Sequence, residues 1–81
     1  MKYTLSEKEY LAELGDYLKN IRKSKNISQQ KAGDMLGVTH QQIHLYESGK
    51  NQIPITKLRK LLNIYNVNLF WENLAREKDT G

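Results

Sequence analysis

The stretch Ser28–Lys50, SQQKAGDMLGVTHQQIHLYESGK, constrains this chain more than any other. Two short helical patterns stand there, separated only by Gly37, Val38 and Thr39. The first takes Ser28 as N-cap and places Ala32, Gly33 and Leu36 on one face. The second takes Thr39 as N-cap, with Gln42 three residues on to complete a capping box and Ile43 and Tyr46 facing inward. Val38 and Ile43 are spaced for a hydrophobic staple across that cap. Helices joined this tightly must cross steeply, which calls for a small residue at the crossing and a left-handed residue in the turn. Gly33 supplies the first and Gly37 the second, because glycine reaches positive φ without a Cβ clash.

That arrangement is a helix-turn-helix, whose second helix turns His40, Gln41, His44 and Leu45 outward, where a DNA groove would meet them. Further matches surround it: Ile21-Arg22, Ile27-Ser28-Gln29, Ala32-Gly33, Leu36-Gly37-Val38-Thr39, Ile43, Tyr46-Glu47-Ser48-Gly49-Lys50 and Pro54. In these residues the chain resembles the phage-repressor/Cro-type helix-turn-helix proteins, the XRE family, from about Leu14 to Trp71. It departs from the family pattern at Ala32, where leucine is usual, and at Gly33, where alanine is usual. Phe70 and Glu72 likewise replace a polar residue and a leucine. The resemblance implies an all-α, five-helix, lambda-repressor-like DNA-binding domain with its helix-turn-helix at helices 2 and 3. It also implies a structural ion pair between Arg22 and Glu47, a phosphate contact from Gln29, and pairing of two copies through the last helix.

Eighty-one residues suffice for one small domain with one core, here placed at about 6–75 with a frayed tail. The chain has no cysteine, so neither a disulfide framework nor a thiolate metal site supports it, which suits a reducing cytoplasm. It has no apolar run of membrane-spanning length, and its start lacks a signal-peptide core. The net charge of +4 matters less than its distribution. Residues 1–16 hold Glu7, Glu9, Glu13 and Asp16. Between Tyr17 and Gly33 stand Lys19, Arg22, Lys23, Lys25 and Lys31 with no acid, and from Gly49 to Trp71 stand Lys50, Lys57, Arg59 and Lys60, again with no acid. Basic segments flanking a helix-turn-helix fit a surface that follows phosphates on either side of a groove.

The remaining helices follow from spacing. Ser6-Glu7-Lys8-Glu9 is a capping box leading into Leu11, Leu14, Leu18 and Ile21, so a first helix is expected over about Ser6–Lys25. Gly15 inside it costs roughly 1 kcal/mol relative to alanine, which points to a kink or a close helix contact. Helix 2 is expected at Gln29–Leu36, helix 3 at His40–Ser48 and helix 4 at Thr56–Tyr65, the last with Leu58, Leu61, Leu62 and Tyr65 inward. A fifth would start from Asn68 and carry Leu69, Phe70, Trp71 and Leu74.

Other chemistries find little support. His40 and His44 lie one turn apart, as zinc ligands can, but no third ligand stands near and the HExxH glutamate is missing. No metal site or cofactor is expected. The acids of the first helix have no partner histidine and read as a solvated face, and nothing assembles a nucleophile, base and oxyanion stabiliser, so no enzyme is expected. Tyr10 and Tyr17, a heptad apart beside the leucine stripe, read as core or partner packing, as do Tyr46 and Tyr65. Tyr3 is unassigned.

The expected function is sequence-specific binding of double-stranded DNA by a transcriptional regulator, a repressor occupying a two-fold-symmetric operator. Base contacts fall to Thr39, His40, Gln41, His44 and Leu45, and phosphate contacts to Gln29, Gln42, Lys50, Asn51 and Gln52. A homodimer at least on DNA is expected, joined through Phe70, Trp71 and Leu74. The alternative is an antitoxin that autoregulates its operon and holds a protein toxin, through its N-terminal acidic segment or its aromatic C-terminal helix. No second domain for sensing a small molecule is expected.

Overall fold

The computed structural model describes residues 6–67, and among these it is all-helical: α1 Glu7–Ser24, α2 Gln29–Leu36, α3 His40–Glu47 and α4 Ile55–Ile64. The expected fifth helix, with Phe70, Trp71 and Leu74, lies outside the described residues, as does Tyr3. No described helix is long and apolar enough to cross a membrane.

Local sequence sets the helix starts. The Ser6 amide donates to Glu9 Oε1 at 2.8 Å and the Glu9 amide to Ser6 Oγ at 3.2 Å, so the capping box of α1 closes in both directions. Ser28 Oγ accepts from the Lys31 amide and Thr39 Oγ1 from the Gln42 amide, each at 3.0 Å. The second cap is only half of the expected box, because the Gln42 side chain makes no return bond to the Thr39 amide. Helix α4 starts one residue before the expected Thr56. Pro54 stands at its N-cap without a side-chain bond, and proline's fixed φ and missing N–H suit the entry to a helix. Between α2 and α3, Gly37 adopts φ 88° as C-cap, and the Gly37 and Val38 amides both donate to the Gly33 carbonyl.

Leu18, Ala32, Leu36, Ile43, Tyr46, Ile53, Leu61, Leu62 and Tyr65 form the core. Val38 packs against this core, of which Ile43 is a member. Helix α2 packs on both α3 and α4, and α1 packs on α3. Two glycines set these approaches. A Cβ at Gly33 would stand 2.6 Å from the Val38 carbonyl oxygen, and one at Gly15 would stand 2.6 Å from that of Tyr46 and closer still to that of Glu47. Gly15 is thus the point where α1 lies against the C-terminal end of α3. Tyr10 and Tyr17 depart from a core placement: they are 56% and 49% exposed. The stripe that α1 turns inward is centred on Gly15, Leu18 and Arg22, which leaves the tyrosines on its outer flank.

Candidate nucleic-acid interface

Helix α3 divides cleanly by period. Ile43, Tyr46 and Glu47 are buried, while Thr39, His40, Gln41 and His44 are exposed along the opposite side. Thr39 is already engaged as cap, its oxygen accepting from Gln42, and its hydroxyl proton remains available to donate. The Gln42 side chain is half-buried and makes no hydrogen bond within the described residues, so its amide is available to a ligand. Leu45 departs from the fully exposed position expected of it and is half-buried. The Lys50 and Asn51 amides both donate to its carbonyl, at 3.0 and 3.2 Å, and bring the following loop back beside it. That return fixes Lys50, Asn51 and Gln52, all exposed, against the C-terminal end of α3. The helix itself contains no lysine or arginine, so the charge nearest its exposed face comes from this loop. Among the described residues no group of three or more potential metal ligands gathers around His40 and His44.

The orientation of α3 rests on one buried carboxylate. Arg22 Nε donates to Glu47 Oε2 at 2.6 Å and Nη2 to Oε1 at 3.1 Å, while Nη1 donates to the Ile27 carbonyl at 2.7 Å. The guanidinium fork matches a carboxylate in this two-point geometry, which a lysine cannot reproduce. The hydrogen bond that Arg22 donates to Glu47 is the main influence raising the Arg22 pKa above its usual value, with desolvation acting against it and the Glu47 charge adding to it. Arg22 is therefore not part of the basic surface with which its sequence neighbours group it. Its side chain is 8% exposed, and it fastens the end of α1 to the end of α3.

Gln29 joins the same carboxylate. Its Nε2 donates to Glu47 Oε1 at 3.1 Å, so the residue expected on a phosphate has its side-chain amide turned inward and half-buried. Sequence reasoning missed this contact, since nothing local links positions 18 residues apart. It placed Tyr65 inward but missed its nearness to the same pair, and the buried hydroxyl has no hydrogen-bond partner among the described residues. Burial first, and the Glu47 charge second, push the Tyr65 pKa up from 10.0 to about 12, with the Arg22 charge pulling the other way.

The helix-turn-helix family model matches residues 18–71 of the chain. One relative is the SPbeta prophage-derived uncharacterized HTH-type transcriptional regulator YonR of Bacillus subtilis, 44% identical over 54 residues, which cover 67% of this chain and 50% of that protein. An uncharacterized HTH-type transcriptional regulator of Sinorhizobium medicae is 36% identical over 62 residues, 74% of this chain and 45% of its own length. The HTH-type transcriptional regulator PuuR of Escherichia coli is 36% identical over 55 residues, 68% of this chain and 30% of its own. The chain belongs to the XRE-type helix-turn-helix family of DNA-binding proteins. It spans half or less of the length of these relatives.

Proposed function

We propose that this protein is a transcriptional repressor that occupies an operator in double-stranded DNA, with α3 seated in the major groove. The observation that carries this reading is the outward polar row His40, Gln41 and His44 on a helix whose opposite side is locked into the core. Gln41 pairs with adenine through N6 and N7, His40 donates to guanine N7 or O6, Thr39 donates at the start of the helix, and the open edge of Leu45 presses on a thymine methyl. His44 reads a base or meets the backbone beside it. Gln42, Lys50, Asn51 and Gln52 contact phosphates on the two sides of the groove. Gln29 holds its place at the phosphate through its backbone amide at the start of α2, because its side chain serves Glu47.

One recognition helix reads only a few base pairs, so two copies bind half-sites about 34 Å apart. Phe70, Trp71 and Leu74 supply the contact between them. Selection of bound duplexes from random sequence, followed by footprinting, tests the whole reading. Two-fold-symmetric half-sites are expected, and a single asymmetric site bound one-to-one would overturn the dimer. A regulated promoter whose output rises when the protein binds would overturn repression.

A further inference from the structure

Helix α1 carries two tyrosines that neither the core nor the DNA reading uses. Tyr10 and Tyr17 are 56% and 49% exposed, one above the other at a heptad spacing, with half-buried Leu14 and Ile21 beside them. At 100° per residue the two tyrosines of this stripe lie roughly 140–160° around the helix from Gly15, the residue pressed on α3, with Leu14 and Ile21 at roughly 100–120°. A partner on the stripe would therefore leave α3 free. Near its N-terminal end a groove opens between Glu7, Tyr10, Leu11, Leu14 and Gln52. Charge is sorted across the same helix. Glu13 is exposed along one edge of the stripe, with no ion pair or hydrogen bond among the described residues, and Glu7 lines the groove at the other. Lys8, Lys19 and Lys23 lie on the far flank.

We propose that this face is a docking site for a basic amphipathic helix of another protein, which sets a large apolar side chain in the groove and brings lysine or arginine to Glu7 and Glu13. Charge selects this occupant. A second copy docking the same face to itself would bring the Glu7 and Glu13 carboxylates of both copies to one seam, whereas a basic helix neutralises them. The tyrosines supply broad apolar contact at low entropic cost and keep a polar end at the rim.

The test titrates the isotope-labelled full chain with a synthetic helical peptide of leucine and lysine, read by amide chemical shifts, against a matched peptide of leucine and glutamate. Shifts confined to α1 and the neighbourhood of Gln52 are expected with the basic peptide alone. Glu7→Gln with Glu13→Gln should weaken that binding about tenfold, since exposed pairs each contribute up to roughly fivefold. Glu13→Lys should remove most of the preference for the basic peptide. Tyr10→Ser with Tyr17→Ser should abolish binding of either, and retention of the native amide spectrum would show that the fold is intact. Shifts spread over α2 or α4, or a peptide affinity indifferent to Glu13→Lys, would overturn the proposal. So would a self-association lost in the tyrosine variant, which would assign the face to a second copy. Operator affinity should be the same in the Tyr10→Ser, Tyr17→Ser variant, which changes no charge, so a failure here is distinct from a failure of the DNA reading.

Discussion

Arg22 and Glu47, 25 positions apart in sequence, form a two-point ion pair that ties the last turn of α1 to the last turn of α3. The same carboxylate also receives Gln29, from the first turn of α2. Three helices therefore meet at one buried anion. Removing one member of such a pair strands the other in low dielectric, at a cost of roughly 3–5 kcal/mol. Glu47→Ala should lose that much in urea denaturation, and Arg22→Lys should recover little because an ammonium cannot fill both carboxylate oxygens and the Ile27 carbonyl together. A midpoint unchanged in Glu47→Ala would show the pair to be incidental.

Gly15→Ala decides between two opposed effects. Alanine is the better helix former by roughly 1 kcal/mol, so at an unpacked position the change would stabilise. Here the new methyl meets the Tyr46 and Glu47 carbonyls, which are backbone and cannot swing away. A net loss of roughly 1–3 kcal/mol is expected, as for an overpacked core. Thermal unfolding gives the sign directly.

Tyr65 makes stability sensitive to alkali. Its pKa is raised from 10.0 to about 12 in the fold, so the unfolded chain releases this proton first as pH rises. The native state is then disfavoured between about pH 10 and pH 12, by roughly 1.4 kcal/mol per pH unit from this group. Below pH 10 the group adds no pH dependence. Tyr65→Phe should flatten this slope relative to the parent. At neutral pH it should leave stability unchanged or raise it by about 1 kcal/mol, because the phenol oxygen it removes is buried without a partner among the described residues. Equal alkaline slopes in the two proteins would contradict the assignment.

Gln41 and Lys50 should separate sequence reading from affinity. Gln41→Ala is expected to cost roughly 1–3 kcal/mol at one base pair per half-site and to leave random-DNA affinity nearly intact. Equal loss on specific and random duplexes would make Gln41 a phosphate contact instead.

Lys50→Gln should weaken both kinds of binding alike and lower the slope of log affinity against log salt by about 1. The recognition helix carries no lysine or arginine of its own, so the loop that returns to Leu45 is where phosphate charge should register. An unchanged slope removes Lys50 from the contacts.

What the sequence determined by itself is what depends on a few neighbouring residues. The Ser6, Ser28 and Thr39 caps, the left-handed turn at Gly37 and the inward positions Ile43, Leu61, Leu62 and Tyr65 all follow from spacings within one or two turns, and the structure places them accordingly. The Arg22–Glu47 pair was also legible, through resemblance and not through spacing. Tertiary structure decided the rest. Periodicity gives a helix an apolar side but not the angle at which its neighbours meet it, so Tyr10 and Tyr17, at the edge of that side, fell outside the core. Leu45 is half-buried at the point where the following loop returns its amides to the helix, and Gln29 was turned inward by a carboxylate 18 residues away. Gly15 announced itself as an exception within a helix, but only the packing of α1 on α3 supplied the reason: the absent methyl is the space in which the Tyr46 and Glu47 carbonyls lie.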